Sequence, residues 1–395
     1  MKRLRREWVG VVLGWAAVVA LLYTGLARVW PDYAGRWLGL TAVFSLYSWW
    51  MTWRALPENH REGETAGDRL VLPTLGWGNR LTLLRGLLIS LTAGFLFSPW
   101  PAGWLGWLPA VFYVLSDVAD YLDGYVARVT NHATRLGGRL DMTFDGLGVL
   151  VVTALAIWYG QLPLWYLPIG LGRYLFLAGL AWRQRRGLPI YEMPFSWHRR
   201  IFAGFQMAFL SAVLWPIVPA AGATIAGMVF GLATTASFGR DWLVTIGWID
   251  PKSARYRLWR GRLYRWTAVY LPPYLRVGVL VCMAFIYGGM ANPVRPLAWV
   301  LLFTGWGLPW PEWWATFWAV AGLAATGMVS LGVMGRVAAL VLVFPIGFDM
   351  VTRGLHWENG VALALVCALM LLGTGLVSLW QPEERYVFWQ AGDEQ

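Results

Sequence analysis

Charge and cysteine are both scarce in this chain. Only 13% of its 395 residues are charged, where a soluble domain carries about a quarter; 58% are hydrophobic and the mean hydropathy is +0.51. That excludes an ordinary water-soluble fold and makes the bilayer the expected solvent. The two cysteines, Cys282 and Cys367, both sit inside apolar runs, which excludes a disulfide framework and reads as packed thiols. Acidic residues number 21 against 32 basic ones. The resulting charge of +11 would suit nucleic acid, but the arginines fall in short loops between apolar runs. No basic face or recognition module accompanies them, so no nucleic-acid partner is expected. Long polar stretches, internal repeats and low-complexity tracts are absent as well.

What the chain does have is a succession of apolar runs from Trp8 to Trp380, each about 20 residues, the length that crosses a hydrocarbon core. They predict an all-α integral membrane protein with spans at 8–29, 37–55, 81–98, 104–128, 138–159, 163–182, 201–218 and 221–247, then 274–291, 312–334, 337–352 and 359–380. The segment 296–308 is apolar but short and flanked by Pro and Gly, and is open to a re-entrant reading. Lys2, Arg3, Arg5 and Arg6 before Trp8–Leu26 superficially look like a signal peptide. No small-residue cleavage site follows, so a retained first helix with a cytoplasmic basic end is expected. Many of the 29 tryptophans, such as Trp49, Trp50, Trp104, Trp107 and Trp310, fall near predicted helix ends, as an interfacial aromatic belt requires.

Alternating the spans from a cytoplasmic N-terminus gathers Arg54, Arg61, Arg69, Arg80, Arg128, Arg135, Arg139, Arg183, Arg185, Arg186, Arg199 and Arg200 on one side. Lys252, Arg255, Arg257, Arg260, Arg262 and Arg265 join them, while the opposite loops carry little beyond Arg28, Arg36 and Arg295, as the positive-inside rule expects. The organisation predicted is a pair of N-terminal helices (1–72), a central six-helix unit (73–250), a basic cytoplasmic linker (251–273) and a C-terminal helical membrane block (274–395). The linker reads as a loop, and its basic run serves either to attract anionic headgroups or simply to orient the chain.

Chemistry concentrates in one stretch: Asp120, Asp123, Gly124, Ala127 and Arg128, then Gly137, Asp141 and Asp145. Carboxylates inside membrane helices are costly and default to function, and four so close together need a cation. Asp120 and Asp123 are three apart and share a helix face, which Gly124 and Ala127 continue with small side chains; Asp141 and Asp145 are four apart and share a face of the next helix. The short loop 129–138 predicts antiparallel neighbours whose acidic pairs converge. Oxygen donors select hard ions such as Mg²⁺ or Mn²⁺, which combine readily with substrate phosphates. Two such ions can clamp the entering and leaving oxygens of a phosphoryl displacement. Gly124 and Gly137 leave room for close approach, and Arg128 offers a fork of donors to phosphate.

The spacing D-x2-D-G-x2-A-R-x8-G-x3-D-x3-D, complete in these residues, resembles the signature of the CDP-alcohol phosphotransferase family. Upstream, Gly78-Asn79-Arg80-Leu81-Thr82-Leu83-Leu84-Arg85 is similar to that family's P-N-x-x-T-x-x-R segment, with Gly78 in place of Pro. A weaker likeness links Gly172-Arg173-Tyr174 through Arg183 to the R-E-x-x-x-S-x-x-R segment of members that use glycerol phosphate; Tyr174 replaces the acidic residue there.

The resemblance covers roughly residues 73–247 and implies a six-helix core that moves a phosphatidyl group from a CDP-alcohol lipid to an acceptor alcohol, releasing CMP. By that resemblance Asp120, Asp123, Asp141 and Asp145 hold a two-metal site of Mg²⁺ or Mn²⁺, with Asp145 as general base on the acceptor hydroxyl. Asn79, Thr82, Asp120, Gly124, Ala127, Arg128 and Gly137 line the nucleotide site. It further implies a cytoplasm-facing site in the cell membrane and a homodimer. Arg173, Arg183, Arg199 and Arg200 are candidate contacts for a phosphorylated acceptor such as glycerol phosphate or inositol phosphate, or else mark the cytoplasmic side.

Bland readings stand beside these. Asp117, one turn before Asp120, reads mainly as structural, and His132 and His198 as polar surface groups. The C-terminal block, with Gly335-Arg336 and the Arg353–Glu358 loop, vaguely resembles DoxX-like four-helix membrane modules; packing or oligomerisation is its plain alternative, and it shows no catalytic constellation. Two rival functions remain at this point: a membrane prenyltransferase, whose acidic motifs lie much farther apart than Asp120 and Asp145, and a transporter or scaffold using the aspartates as an ion site.

Overall fold

The computed structural model describes residues 1–61, 70–194 and 197–390; Arg69 and the side chain of His198 lie outside the described residues. Every regular element described is helical, and β pairing among the described residues is confined to two isolated bridges, Arg61 with Thr134 and Val333 with Trp380. Six described helices are long and apolar enough to cross a membrane, and a bent pair brings the number to seven. The chain is a multi-pass membrane protein.

Internal contacts divide the chain into two units, and the first comprises Met1–Tyr174 with Leu210–Pro216. It opens with α1 (Lys2–Val29) and α2 (Pro31–Ala55). Pro31 lacks an N–H that the first helical position would leave unpaired anyway, so it starts the second helix without loss. Next come α3 (Gly76–Ala93), α4 (Leu108–Val129) and α5 (Arg135–Trp158). Thr134 caps α5, its hydroxyl accepting from the Gly137 amide at 3.1 Å.

The sequence led us to expect α4 and α5 as direct antiparallel neighbours. Instead α3 is wedged between them: it packs along both, while α4 and α5 touch each other only sparsely. The composition of α3 explains this position, since apolar residues surround it and nearly all of Leu87–Ala93 is buried. Gly78 sets the closeness of the α3–α4 crossing. A Cβ there would stand 2.7 Å from the Ala127 Cβ and 3.0 Å from the Asp123 carbonyl oxygen, so a side chain would force the helices apart. On its other side α3 is covered by α2, where the Trp37 indole donates to the Leu91 carbonyl at 3.2 Å.

A single span was expected over 163–182. The structure breaks it into α6 (Leu167–Gly170) and α7 (Gly172–Arg185), with a bend of 57° between Leu164–Gly170 and α7. Pro168 and the glycines on either side of Leu171 weaken the helix at that point. The helix α8 (Trp197–Val213) follows.

The second unit comprises Leu175–Phe209 and Ile217–Gln395. It holds α9 (Ala220–Thr245), α10 (Ala254–Tyr264), α11 (Leu271–Gly288), α12 (Leu297–Gly305), α13 (Pro311–Leu331), α14 (Gly335–Arg353), α15 (Trp357–Leu372) and α16 (Pro382–Gln390). At 9 residues α12 reaches only about 13 Å, too short to cross a bilayer. The basic stretch read as a loop is helical. Ser253 caps α10 by accepting from the Tyr256 amide at 3.2 Å, and a π-helical stretch, Arg265–Tyr270, carries the helix into α11. Arginine and leucine are strong helix formers, so polarity alone did not make this segment a loop.

Buried charges in this unit are closed locally. Arg276 of α11 donates to the carbonyls of Val329 (2.9 Å) and Ser330 (2.5 Å), satisfying the free end of α13, and also to carbonyls at Thr374, Leu376 and Val377. Arg336 pairs with Glu384 at 2.9 and 3.2 Å and donates to the Met370 and Leu371 carbonyls at the end of α15. Asp349, fully buried, receives both arms of Arg353 at 2.6 and 2.8 Å and the Asn359 amide at 2.9 Å. Cys282 and Cys367 are buried free thiols, as their apolar settings suggest.

Candidate active site

Three helices contribute to one polar cluster. From α4 come Asp120 and Asp123, from α5 Asp141 and Asp145, and from the wedge helix α3 come Thr82 and Arg85. The Arg85 guanidinium sits at the focus. Its Nη1 lies 2.6 Å from Asp120 Oδ1, 2.6 Å from Asp141 Oδ1 and 3.3 Å from Asp123 Oδ2, and its Nη2 lies 2.5 Å from Asp145 Oδ1. Thr82 donates to the same Asp123 oxygen at 2.8 Å. Arg85 is almost wholly buried, and its Nε has no hydrogen-bond partner.

The four aspartates are not equivalent. Asp123 is buried and engaged by Thr82 and Arg85. The side chains of Asp120, Asp141 and Asp145 keep 30%, 42% and 37% of their exposure, so a ligand can reach them. One oxygen from each of these three lies within 4.8 Å of the others, a spacing over which a divalent cation can be shared. Four carboxylates against one guanidinium leave three negative charges uncompensated when all are ionised. The donor set is all oxygen, it is open on one side, and it carries excess negative charge; it therefore fits hard divalent cations such as Mg²⁺ or Mn²⁺.

Around this cluster the motif residues divide by what they touch. Ala127 is the surface against which Gly78 packs. The Arg128 guanidinium, on the exposed end of α4, folds back along Gly124, where a Cβ would stand 3.2 Å from its Nη1. Asn79 is buried and faces the start of α5, its amide donating to Thr134 Oγ1 at 3.0 Å and to Asn59 Oδ1 at 3.2 Å. A Cβ at Gly137 would stand 2.5 Å from Asn79 Oδ1, so this glycine admits the asparagine that ties the two helix starts together. His132 reaches the Thr74 carbonyl from its ring Nε2 at 3.1 Å, and Asp117 accepts from the Ser211 hydroxyl; both are explained by packing.

Arg173 crosses α5 at Gly146, the residue after Asp145, where a Cβ would meet its Cδ at 2.6 Å. The other candidate acceptor arginines belong to the second unit. Arg183 donates to the Pro189 carbonyl at 2.7 Å, Arg199 lies 3.3 Å from Asp241, and Arg200 is exposed. The residue that sequence reasoning passed over is Arg85. It closes the N-x-x-T-x-x-R segment three residues after Thr82, so the two share a helix face, and that spacing was the available signal.

Residues 76–237 match the family model described as CDP-alcohol phosphatidyltransferase. This stretch, somewhat under half of the chain, is similar to that family's domain. All of α3, α4 and α5, and with them the whole aspartate cluster, lie inside the matched stretch. Among curated relatives, a candidate cardiolipin synthase of Mycobacterium tuberculosis is 32% identical over 139 residues, covering 34% of this chain and 63% of the relative. A CDP-diacylglycerol–glycerol-3-phosphate 3-phosphatidyltransferase of Cereibacter sphaeroides is 30% identical over 105 residues, 26% of this chain and 47% of its own. One of the same name from Salmonella typhimurium is 27% identical over 149 residues, 36% and 76%. The chain thus spans somewhat under two thirds of the first of these relatives. No solved structure matches it.

Proposed function

We propose that the protein transfers a phosphatidyl group from a CDP-alcohol, such as CDP-diacylglycerol, to an acceptor alcohol and releases CMP, as a step in phospholipid synthesis. The observation that carries this reading is the convergence of Asp120, Asp141 and Asp145 from two helices on one exposed point, inside the stretch that matches this family. A prenyltransferase or a transporter has no comparable support.

The four aspartates would hold two divalent ions, Mg²⁺ or Mn²⁺, which when bound supply neutralisation of the CDP diphosphate. Asp145 accepts the proton of the acceptor hydroxyl. The acceptor oxygen then bonds to the lipid-bearing phosphorus, and the bond from that phosphorus to the CMP oxygen breaks. Arg85 fixes all four carboxylates from behind and holds them in register. Arg128, at the open end of α4, donates to the nucleotide phosphates, and Thr82 orients Asp123. Asn79 and Gly137 act on the nucleotide site by fixing the starts of α3 and α5.

Arg173, which crosses α5 at the residue after Asp145, favours an acceptor that brings its own phosphate, glycerol phosphate or inositol phosphate. The names of two relatives also specify glycerol-3-phosphate. The site faces the cytoplasm, where CDP-lipid headgroups and soluble acceptors meet, and the enzyme works as a homodimer in the cell membrane.

The test is direct. Purified protein is incubated with CDP-diacylglycerol, Mn²⁺ or Mg²⁺, and a panel of glycerol phosphate, inositol phosphate and phosphatidylglycerol, and CMP is measured. Metal-dependent CMP release with one acceptor supports the reading; no CMP with any acceptor, from protein that is folded, contradicts it.

A further inference from the structure

The longest uninterrupted helix in the second unit has a basic end that the transferase chemistry does not use. Ala254–Gly288 runs as one helix of 35 residues, about 52 Å at 1.5 Å per residue. A hydrocarbon core takes about 30 Å of that. The apolar portion begins after Arg265, so the excess, on the order of 20 Å, is α10 itself, which therefore stands at headgroup level.

Here the chain concentrates positive charge. Lys252, Arg255, Arg257, Arg260, Arg262 and Arg265 are all exposed and enter no ion pair among the described residues. No acidic residue occurs between Asp250 and Glu312. Structural arginines elsewhere in this unit are closed by carbonyls or carboxylates, as Arg276 and Arg336 are; these six are not. Interleaved with them are exposed Leu258, Trp259 and Trp266, side chains suited to the headgroup boundary.

A cavity of about 320 Å³ adjoins this end. Its walls include Thr267, Ala268 and Val269 of the π-helical stretch, with Phe202, Leu372 and Leu376. It is mainly apolar, and π-helical irregularities in helices often mark ligand sites. It has room for part of an acyl chain.

We propose that α10 and this cavity form a binding site for an anionic phospholipid: the arginines of α10 take the headgroup phosphate, and one acyl chain enters between the π-helical stretch and the loop after α15. The site is independent of the transferase reading, because none of its residues belongs to the aspartate cluster. Charge makes the lipid anionic, and the apolar cavity makes it a lipid rather than free phosphate.

The experiment uses the full chain in a neutral detergent, titrated with phosphatidylglycerol or phosphatidylcholine of matched chains and with inorganic phosphate. Thermal stability and native mass spectrometry serve as readouts. Phosphatidylglycerol should bind and raise the melting temperature, and phosphatidylcholine and inorganic phosphate should not. Replacing Arg255, Arg257, Arg260 and Arg262 together by Gln should weaken apparent affinity at least tenfold, since each cation at a membrane surface contributes several-fold. Replacement of the same four by Lys should leave it within about threefold. These positions are exposed, so folding should survive, and unchanged circular dichroism checks this. Ala268→Phe should abolish the preference for long over short acyl chains. Equal stabilisation by phosphatidylcholine, equal stabilisation by inorganic phosphate, or undiminished phosphatidylglycerol binding by the Gln variant would each overturn the proposal.

Discussion

The two units handle buried charge in opposite ways. In the second, the most deeply buried ions are closed by their neighbours: Arg276 and Arg336 take up helix-end carbonyls, and Asp349 is held by both arms of Arg353 and by Asn359. In the first, one arginine faces four carboxylates, three of which keep an open side. A charge network that closes on itself holds helices together. One left out of balance at an accessible point asks for a ligand. Count and spacing of acids do not make the distinction; the distribution of partners does.

Four changes would break or sharpen this contrast. Asp145→Asn should reduce CMP release by about 10²–10⁴-fold, the usual contribution of a placed base, with the melting temperature nearly unchanged. A variant with full turnover would remove Asp145 from the role of base. Asp349→Ala should do the reverse. It strips Arg353 and Asn359 of their buried acceptor and should cost about 3–5 kcal/mol in unfolding free energy, measured by denaturant titration, while turnover per folded molecule stays the same.

Arg85→Gln falls between the two. With the central cation gone, the aspartates repel one another, and the protein should lose about 3 kcal/mol of stability without added metal. Mn²⁺ should restore part of that, and a melting temperature that does not respond to Mn²⁺ would show that the carboxylates share no cation. Arg173→Gln should have the smallest effect, raising KM for a phosphorylated acceptor about tenfold while KM for the CDP-lipid holds. Equal rises for both substrates would place Arg173 outside the acceptor site.

Much of the first unit was legible because spacing along a helix fixes which side chains share a face. Asp120 with Asp123, and Asp141 with Asp145, needed only the 3.6-residue period. The place of α3 was not legible. Loop length said that α4 and α5 follow each other closely, but nothing local reports that a helix from earlier in the chain lies between them, so the central position of Arg85 went unseen. Gly78, which stands in place of the motif's Pro, carried the trace of it, and the contact with Ala127 explains it. The basic segment after Asp250 was misread because charge was taken for a loop signal, although its Ser253 cap and arginine-rich composition suit a helix. The break at Leu171 depended on two flanking glycines whose effect within an apolar run is decided by packing.

The central claim is that Asp120, Asp141 and Asp145 together hold a divalent cation for a nucleotide diphosphate. Electron paramagnetic resonance of Mn²⁺ titrated into the purified protein with CDP present measures this without relying on turnover. Saturable loss of the free-ion signal is expected for the natural sequence and its absence for Asp141→Asn; equal binding by both proteins, or none by either, would contradict the claim.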